Sequence, residues 1–332
     1  MVVAGIVGAG FMGTTHARAY ANILNVKVKY VVDQVPERGQ KLASEIGAQA
    51  LTSITQLLTH SEVDLVDITL PTPLHPVMAI SALEAGKHVL VEKPIALTIE
   101  EADRMLTTAR KSGRLLMVAH VLRFLPEYAA IHAVVESGRL GKPLLGHAYR
   151  LSNMPQWAEW FRDPRKTGGA VLDLQIHDID FLNWIFGYPL SVYAQGYQDL
   201  QGGWNSLLTL IEYKSGAASI ECSFSKPKEY PFTCGLRLEC EQGEIEYHFR
   251  AGGASFEQGK PFSYLLIHED GKPNQSVPIE AGDGFHKELM YFVQCVEQGK
   301  PSDYLTTEDA YKALCTAVAV QKSLERQERI IL

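Results

Sequence analysis

Along the first 120 residues, short apolar runs alternate with segments of helical period. Apolar runs at 2–7, 26–32, 63–69, 88–92 and 115–119 predict buried strands, and 50–51 is a candidate short one. Helices are predicted at 12–24, 53–59, 75–85 and 98–112. Ser53 and Thr98 stand as N-caps, Glu101 completes a capping box with Thr98, and Gly86 and Gly113 close their helices. Strands that alternate with helices and are apolar throughout imply a parallel, doubly wound sheet covered on both faces.

After Arg123 the pattern changes. A helix is predicted at 126–137, a strand at 144–151, and a long helix at 170–186 beyond a loop rich in Trp, Arg, Lys and Gly. Strands then follow one another at 190–197, 206–213, 217–223, 235–240, 244–249 and 264–268, with Glu241-Gln242-Gly243 reading as a hairpin turn. Two helices, near 285–298 and at 307–326, complete the pattern. Consecutive strands without intervening helices predict an antiparallel or mixed sheet. The expected class is therefore α/β plus α+β, with a dinucleotide-binding domain at 1–121 and a second domain at 122–332.

Composition narrows the function. A chain of 332 residues buries roughly three quarters of its unfolded surface and needs no disulfide or metal staple. The net charge of −7 argues against a nucleic-acid footprint. Cys222, Cys234, Cys240, Cys295 and Cys315 form no CxxC pair and read as buried or indifferent thiols. No apolar stretch is long enough to span a bilayer, and no basic segment with an apolar core opens the chain, so a soluble, cytoplasmic protein is expected.

The run Val7-Gly8-Ala9-Gly10-Phe11-Met12-Gly13 sits at a strand-to-helix turn, where a dinucleotide fingerprint needs its glycines. Gly8 permits the turn, Gly10 admits a pyrophosphate to the backbone and its following amides, with Phe11 and Met12 beside it, and Gly13 lets helix and strand pack closely. Asp33 ends the second apolar run, where a carboxylate can accept ribose hydroxyls. It favours NAD by repelling a 2′-phosphate, while nearby Arg38 leaves NADP open.

Lys93 follows the apolar run 88–92, at the strand end that faces the ligand crevice. Asp173, His177 and Asp180 fall on one helix face at 100° per residue. His177 is a candidate proton acceptor, with Asp173 binding a substrate hydroxyl or orienting the imidazole; a structural histidine or a metal site are the alternatives, and no metal is expected. Trp157, Trp160, Arg162 and Arg123 are candidate substrate contacts, the aromatics as stacking faces for a sugar ring, although packing of a closing loop explains the loop residues equally well. Pro71, Thr72 and His75 are expected to line the cofactor crevice, together with Glu92, whereas His16 reads as helix surface.

Taken together, these motifs resemble the glucose–fructose oxidoreductase, inositol dehydrogenase and rhizopine-catabolism (Gfo/Idh/MocA) family. The matching positions are Gly8-x-Gly10-x-x-Gly13, Asp33, Pro71-Thr72-Pro73-Leu74-His75, Glu92-Lys93-Pro94, Arg123-Phe124, Gly168-Gly169 and Asp173-x-x-x-His177, and they span residues 8–177. Ala170 departs from a third glycine common in the family. The resemblance implies an N-terminal Rossmann domain and a C-terminal domain with an open mixed or antiparallel sheet and helices on one face. It also implies a pocket of Lys93, Asp173 and His177, a cis peptide before Pro94, and a homodimer or homotetramer formed through the C-terminal sheet. The activity so implied is NAD(P)-dependent oxidation of a secondary alcohol on a sugar, cyclitol or related polyol. A reductase of a keto-sugar or dihydrodiol, or a non-catalytic cofactor-sensing regulator, is the alternative.

Overall fold

The computed structural model describes residues 1–155, 159–253, 259–279 and 282–332, with only the backbone of Glu159. The first part of the chain runs β1 (Val2–Val7), α1 (Phe11–Tyr20), β2 (Val26–Val32), α2 (Pro36–Ile46), β3 (Gln49–Leu51), α3 (Ile54–Leu58), β4 (Leu65–Ile68), α4 (His75–Glu84), β5 (His88–Glu92), α5 (Ile99–Ser112) and β6 (Leu116–Ala119). It continues through α6 (Pro126–Glu136), β7 (Pro143–Leu151), α7 (Pro164–Thr167), a π-helical turn (Val171–Gln175) and α8 (Ile176–Phe186). Next come β8 (Ser191–Gln198), β9 (Trp204–Glu212), β10 (Ala217–Ser223), β11 (Thr233–Cys240), β12 (Gly243–Arg250), β13 (Phe262–Glu269) and β14 (Gln275–Ser276). Helices α9 (Gly284–Gln298) and α10 (Thr307–Arg326) and strand β15 (Ile330–Ile331) follow.

The chain divides into two compact units: Met1–Leu125 with Asp283–Tyr311, and Pro126–Gly282 with Lys312–Leu332. The second unit is thus not one continuous stretch. Segment 283–311 joins the first unit because α9 buries Leu289, Phe292 and Val293 in the same core as Ala17 and Tyr20 of α1.

The first unit holds a six-stranded sheet in the order β3-β2-β1-β4-β5-β6, parallel throughout. Strand order reverses between β1 and β4, and in open α/β sheets a ligand crevice would be expected at the carboxyl ends of two such strands. Thr98 and Ser53 cap α5 and α3 as their sequence positions require, accepting from the amides of Glu101 and Gln56. Helix α2 had no apolar stripe to announce it, since it buries only Gly39, Leu42 and Ala43. Its signals are punctuation: Pro36 in the first turn and Gly47 in the left-handed conformation at its end.

The second unit holds a nine-stranded mixed sheet, β14-β13-β12-β11-β7-β10-β9-β8-β15. Strands β7 and β10 pair in parallel, and the other neighbours are antiparallel. Helix α8 packs on β7 at Gly146, where a Cβ would lie 3.0 Å from Leu182 Cδ2. The two-residue strands β14 and β15 carried no readable period. Along β9, Leu207, Thr209 and Ile211 are buried while Leu208 and Leu210 are exposed, so one face of the sheet is covered and the other open.

Candidate active site

The glycine run is built as its spacing demands. Gly8 adopts a φ of +110°, and a Cβ on Gly13 would lie 1.8 Å from the Gly8 carbonyl oxygen. A Cβ on Gly10 would meet nothing within 4 Å, which leaves the room a pyrophosphate needs beside the backbone. Phe11 begins α1 with its ring exposed, and Met12 beside it is half-buried. These residues fit a dinucleotide, whose phosphates would lie against the amides at the start of α1.

Asp33 is buried and already engaged. Its Oδ2 accepts from the Ala9 amide at 2.9 Å, and its Oδ1 accepts from the Val35 amide at 2.8 Å and from Arg38 at 3.2 Å. The carboxylate therefore ties the glycine turn to β2.

Beyond β5, the Lys93–Pro94 peptide is cis and Lys93 is half-buried. Glu92 is buried: its Oε2 accepts the Lys93 amide at 3.0 Å, and its Oε1 lies 3.2 Å from Nε2 of His16. His16 is no surface residue. It is fully buried, with Nδ1 2.8 Å from Asp67 Oδ2. Burial alone would lower its pKa, but the charge and hydrogen bond of Asp67, followed by those of Glu92, hold it well above the ordinary histidine value. Burial would likewise raise Glu92, yet the hydrogen bond and charge of His16 bring it below the ordinary carboxylate value. The His16 ring thus lies between two carboxylates, both of which favour its charged form. An Asp inside the otherwise apolar strand Leu65–Ile68, where burial without a partner is costly, was the signal available in the sequence.

His75 faces two main-chain acceptors. Its Nδ1 is 2.9 Å from the Pro94 carbonyl oxygen and its Nε2 is 2.7 Å from that of Leu70. Its pKa is lowered, chiefly by burial. The imidazole joins the loop after β4, which holds half-buried Pro71 and buried Thr72, to the loop after β5. Arg123 is buried and donates to the Tyr304 carbonyl at 3.1 Å and to Asp309 at 3.3 Å, so its guanidinium ties segment 283–311 to the end of β6.

In the second unit, the predicted helix 170–186 starts as a π-helical turn, entered from Gly168 and Gly169, both with positive φ. From 169 to 182, Asp173 and His177 alone keep partial exposure. Asp180, expected beside them, is fully buried. Asp178, next to His177, is also buried and takes Arg150 in a two-point ion pair at 2.9 and 2.8 Å, with Tyr128 on the same guanidinium at 3.2 Å. Trp160 is half-buried against Phe161, and Arg162 is exposed; Trp157 lies outside the described residues. Among the described residues, no three His, Cys, Asp or Glu side chains gather as metal ligands would.

Comparison with known proteins gives these features a family. Residues 2–120 match the model for an oxidoreductase family with an NAD-binding Rossmann fold, and residues 128–246 match the Gfo/Idh/MocA C-terminal domain. The chain belongs to the Gfo/Idh/MocA family of oxidoreductases. Its first unit carries that family's NAD-binding domain. Inositol 2-dehydrogenase of Salmonella typhimurium is 27% identical over 97% of this chain and 94% of its own. The 1,5-anhydro-D-fructose reductase of Ensifer adhaerens is 24% identical over 96% and 95%. Levoglucosan dehydrogenase, solved with NADH and levoglucosan, shares the fold with a TM-score of 0.86 at 20% identity, covering 99% of each chain. Among the described residues, no helix is long and apolar enough to cross a membrane.

Proposed function

We propose that this oxidoreductase removes a hydride from a secondary alcohol of a sugar, cyclitol or related polyol. NAD, when bound, supplies the hydride acceptor. His177 takes the hydroxyl proton as the C–H bonding pair leaves as hydride and the carbonyl forms. Lys93 donates to the oxygen, and Asp173 accepts from a neighbouring hydroxyl. The observation that carries this reading is the placement of Asp173 and His177: over residues 169–182 they alone keep partial exposure, one acceptor and one base a turn apart. Lys93, at the carboxyl end of β5, supplies the cation that the oxygen requires. Relatives named as sugar and cyclitol dehydrogenases support the substrate class. Asp33 supports NAD over NADP, because its carboxylate would meet a 2′-phosphate. Trp160 and Arg162 are the described candidates for sugar contacts.

We further read the open face of the nine-stranded sheet, with Leu208 and Leu210 both 59% exposed, Tyr193 opposite Leu210, and Leu145 exposed two strands away, as the surface through which copies associate.

A panel of cyclitols, aldoses, uronates and polyols, offered with NAD and NADP separately, tests the reaction by formation of reduced nicotinamide. Turnover with one class, lost about 10²- to 10⁴-fold in Lys93→Ala and in His177→Ala while NADH still binds, is expected. Undiminished turnover in either variant removes that residue from the mechanism.

A further inference from the structure

We propose that His16 and His75 are positioning residues for Lys93, holding the Glu92–Pro94 loop from its two ends. The proposal rests on the role given to Lys93 above. Lys93 stands one residue beyond a strand, where the sheet no longer fixes the backbone. Two buried imidazoles take over that task, one on each side of it.

On the strand side, the tie runs through a side chain. The Lys93 amide donates to Glu92 Oε2, and the other oxygen of that carboxylate faces His16. His16 is in turn fixed on β4 by Asp67, so Glu92 is anchored to the neighbouring strand and cannot rotate without separating an ion pair in the sheet interior. On the far side, the tie runs through the main chain: His75 Nδ1 meets the carbonyl of Pro94, and His75 Nε2 meets that of Leu70. A neutral imidazole has one N–H for these two acceptors and so donates to one carbonyl at a time, and an imidazolium donates to both. His75 begins α4 and His16 lies in the second turn of α1, so two helices and two strands converge on a single loop. Neither imidazole has an exposed edge, so both act through the loop and not on substrate. A displacement of about 1 Å at a catalytic group can cost roughly a hundredfold in rate, which makes such anchoring consequential.

The test uses the full-length protein saturated with NADH and carrying ¹³C-dimethylated lysines. The Lys93 signal is identified by its loss in Lys93→Arg. His16→Asn keeps a donor near Asp67 but does not reach Glu92, and His75→Phe keeps the ring but removes both nitrogens. In each variant the Lys93 signal is expected to move toward the envelope of exposed lysines. In unmodified protein, kcat with the best polyol of the panel is expected to fall about 10- to 100-fold, with KM and the NADH Kd within about threefold. Glu92→Gln and His75→Gln replace any variant that does not fold, with the same shifts expected. A Lys93 signal unmoved in both positions, or kcat retained in both, overturns the proposal. Turnover that survives Lys93→Ala while the signal still moves overturns the role of Lys93 and leaves the anchoring intact, so the two failures are distinct.

Discussion

In the first unit the candidate site residues hang from the carboxyl ends of parallel strands; in the second they stand on a helix whose entry is π-helical. The first arrangement localises its chemistry in short turns. Gly8 and Gly13, Asp33, and Lys93 each follow a different strand, and the sheet brings those strand ends together. The second arrangement selects by burial. Asp173 and His177 are singled out because Asp178 and Asp180 turn inward, and a buried Arg150 holds the helix against β7. A site made of turns depends on backbone room, whereas a site made by burial depends on paired charge.

That contrast can be broken at its costliest point first. Asp178→Ala leaves Arg150 buried without its carboxylate, and a loss of about 3–5 kcal/mol is expected in chemical denaturation. Joint replacement of Arg150 and Asp178 by apolar residues should recover much of that loss, whereas an ion pair that merely decorates the helix would show neither effect. The corresponding test of backbone room in the first unit is Gly13→Ala. Its Cβ would meet the Gly8 carbonyl at 1.8 Å, so NADH binding should weaken at least tenfold and stability should drop by about 1–3 kcal/mol. Unaltered NADH titrations would show that the turn yields.

The smallest effect is the pH dependence of the buried network in the first unit. The raised pKa of His16 adds stability that is complete below its ordinary value of 6.5 and is lost as pH rises toward the folded value. The lowered pKa of Glu92 adds stability that is complete above its ordinary value of 4.5 and is lost as pH falls toward the folded value. The advantage of the native protein over His16→Asn should therefore be greatest between pH 4.5 and 6.5 and shrink on both sides. Denaturation midpoints across that range check it; an advantage that does not vary with pH would mean that His16 carries no charge.

The sequence made some of this legible and not the rest, for identifiable reasons. The glycine run and Lys93 could be read because each lies at a junction between periods. The inward turn of Asp180 could not be read, since at 100° per residue it returns to within about 20° of Asp173 and passes for the same face, and nothing in the sequence announced the π-helical turn that breaks that count. His16 was misplaced because its helix shows no local sign of the carboxylate it meets on a strand some fifty residues away. Arg123 gave no sign of its ties to Tyr304 and Asp309, which lie far along the chain.

By itself the sequence determined the alternation of strand and helix, the dinucleotide turn, the capped helices and the two kinds of sheet, because these follow from spacing over a few residues. Tertiary structure alone decided that segment 283–311 completes the first unit, that a π-helical turn precedes His177, and that His16 and His75 enclose the loop bearing Lys93. Those outcomes depend on which buried charges and carbonyls meet across strands and helices distant in sequence, and no local pattern encodes such meetings.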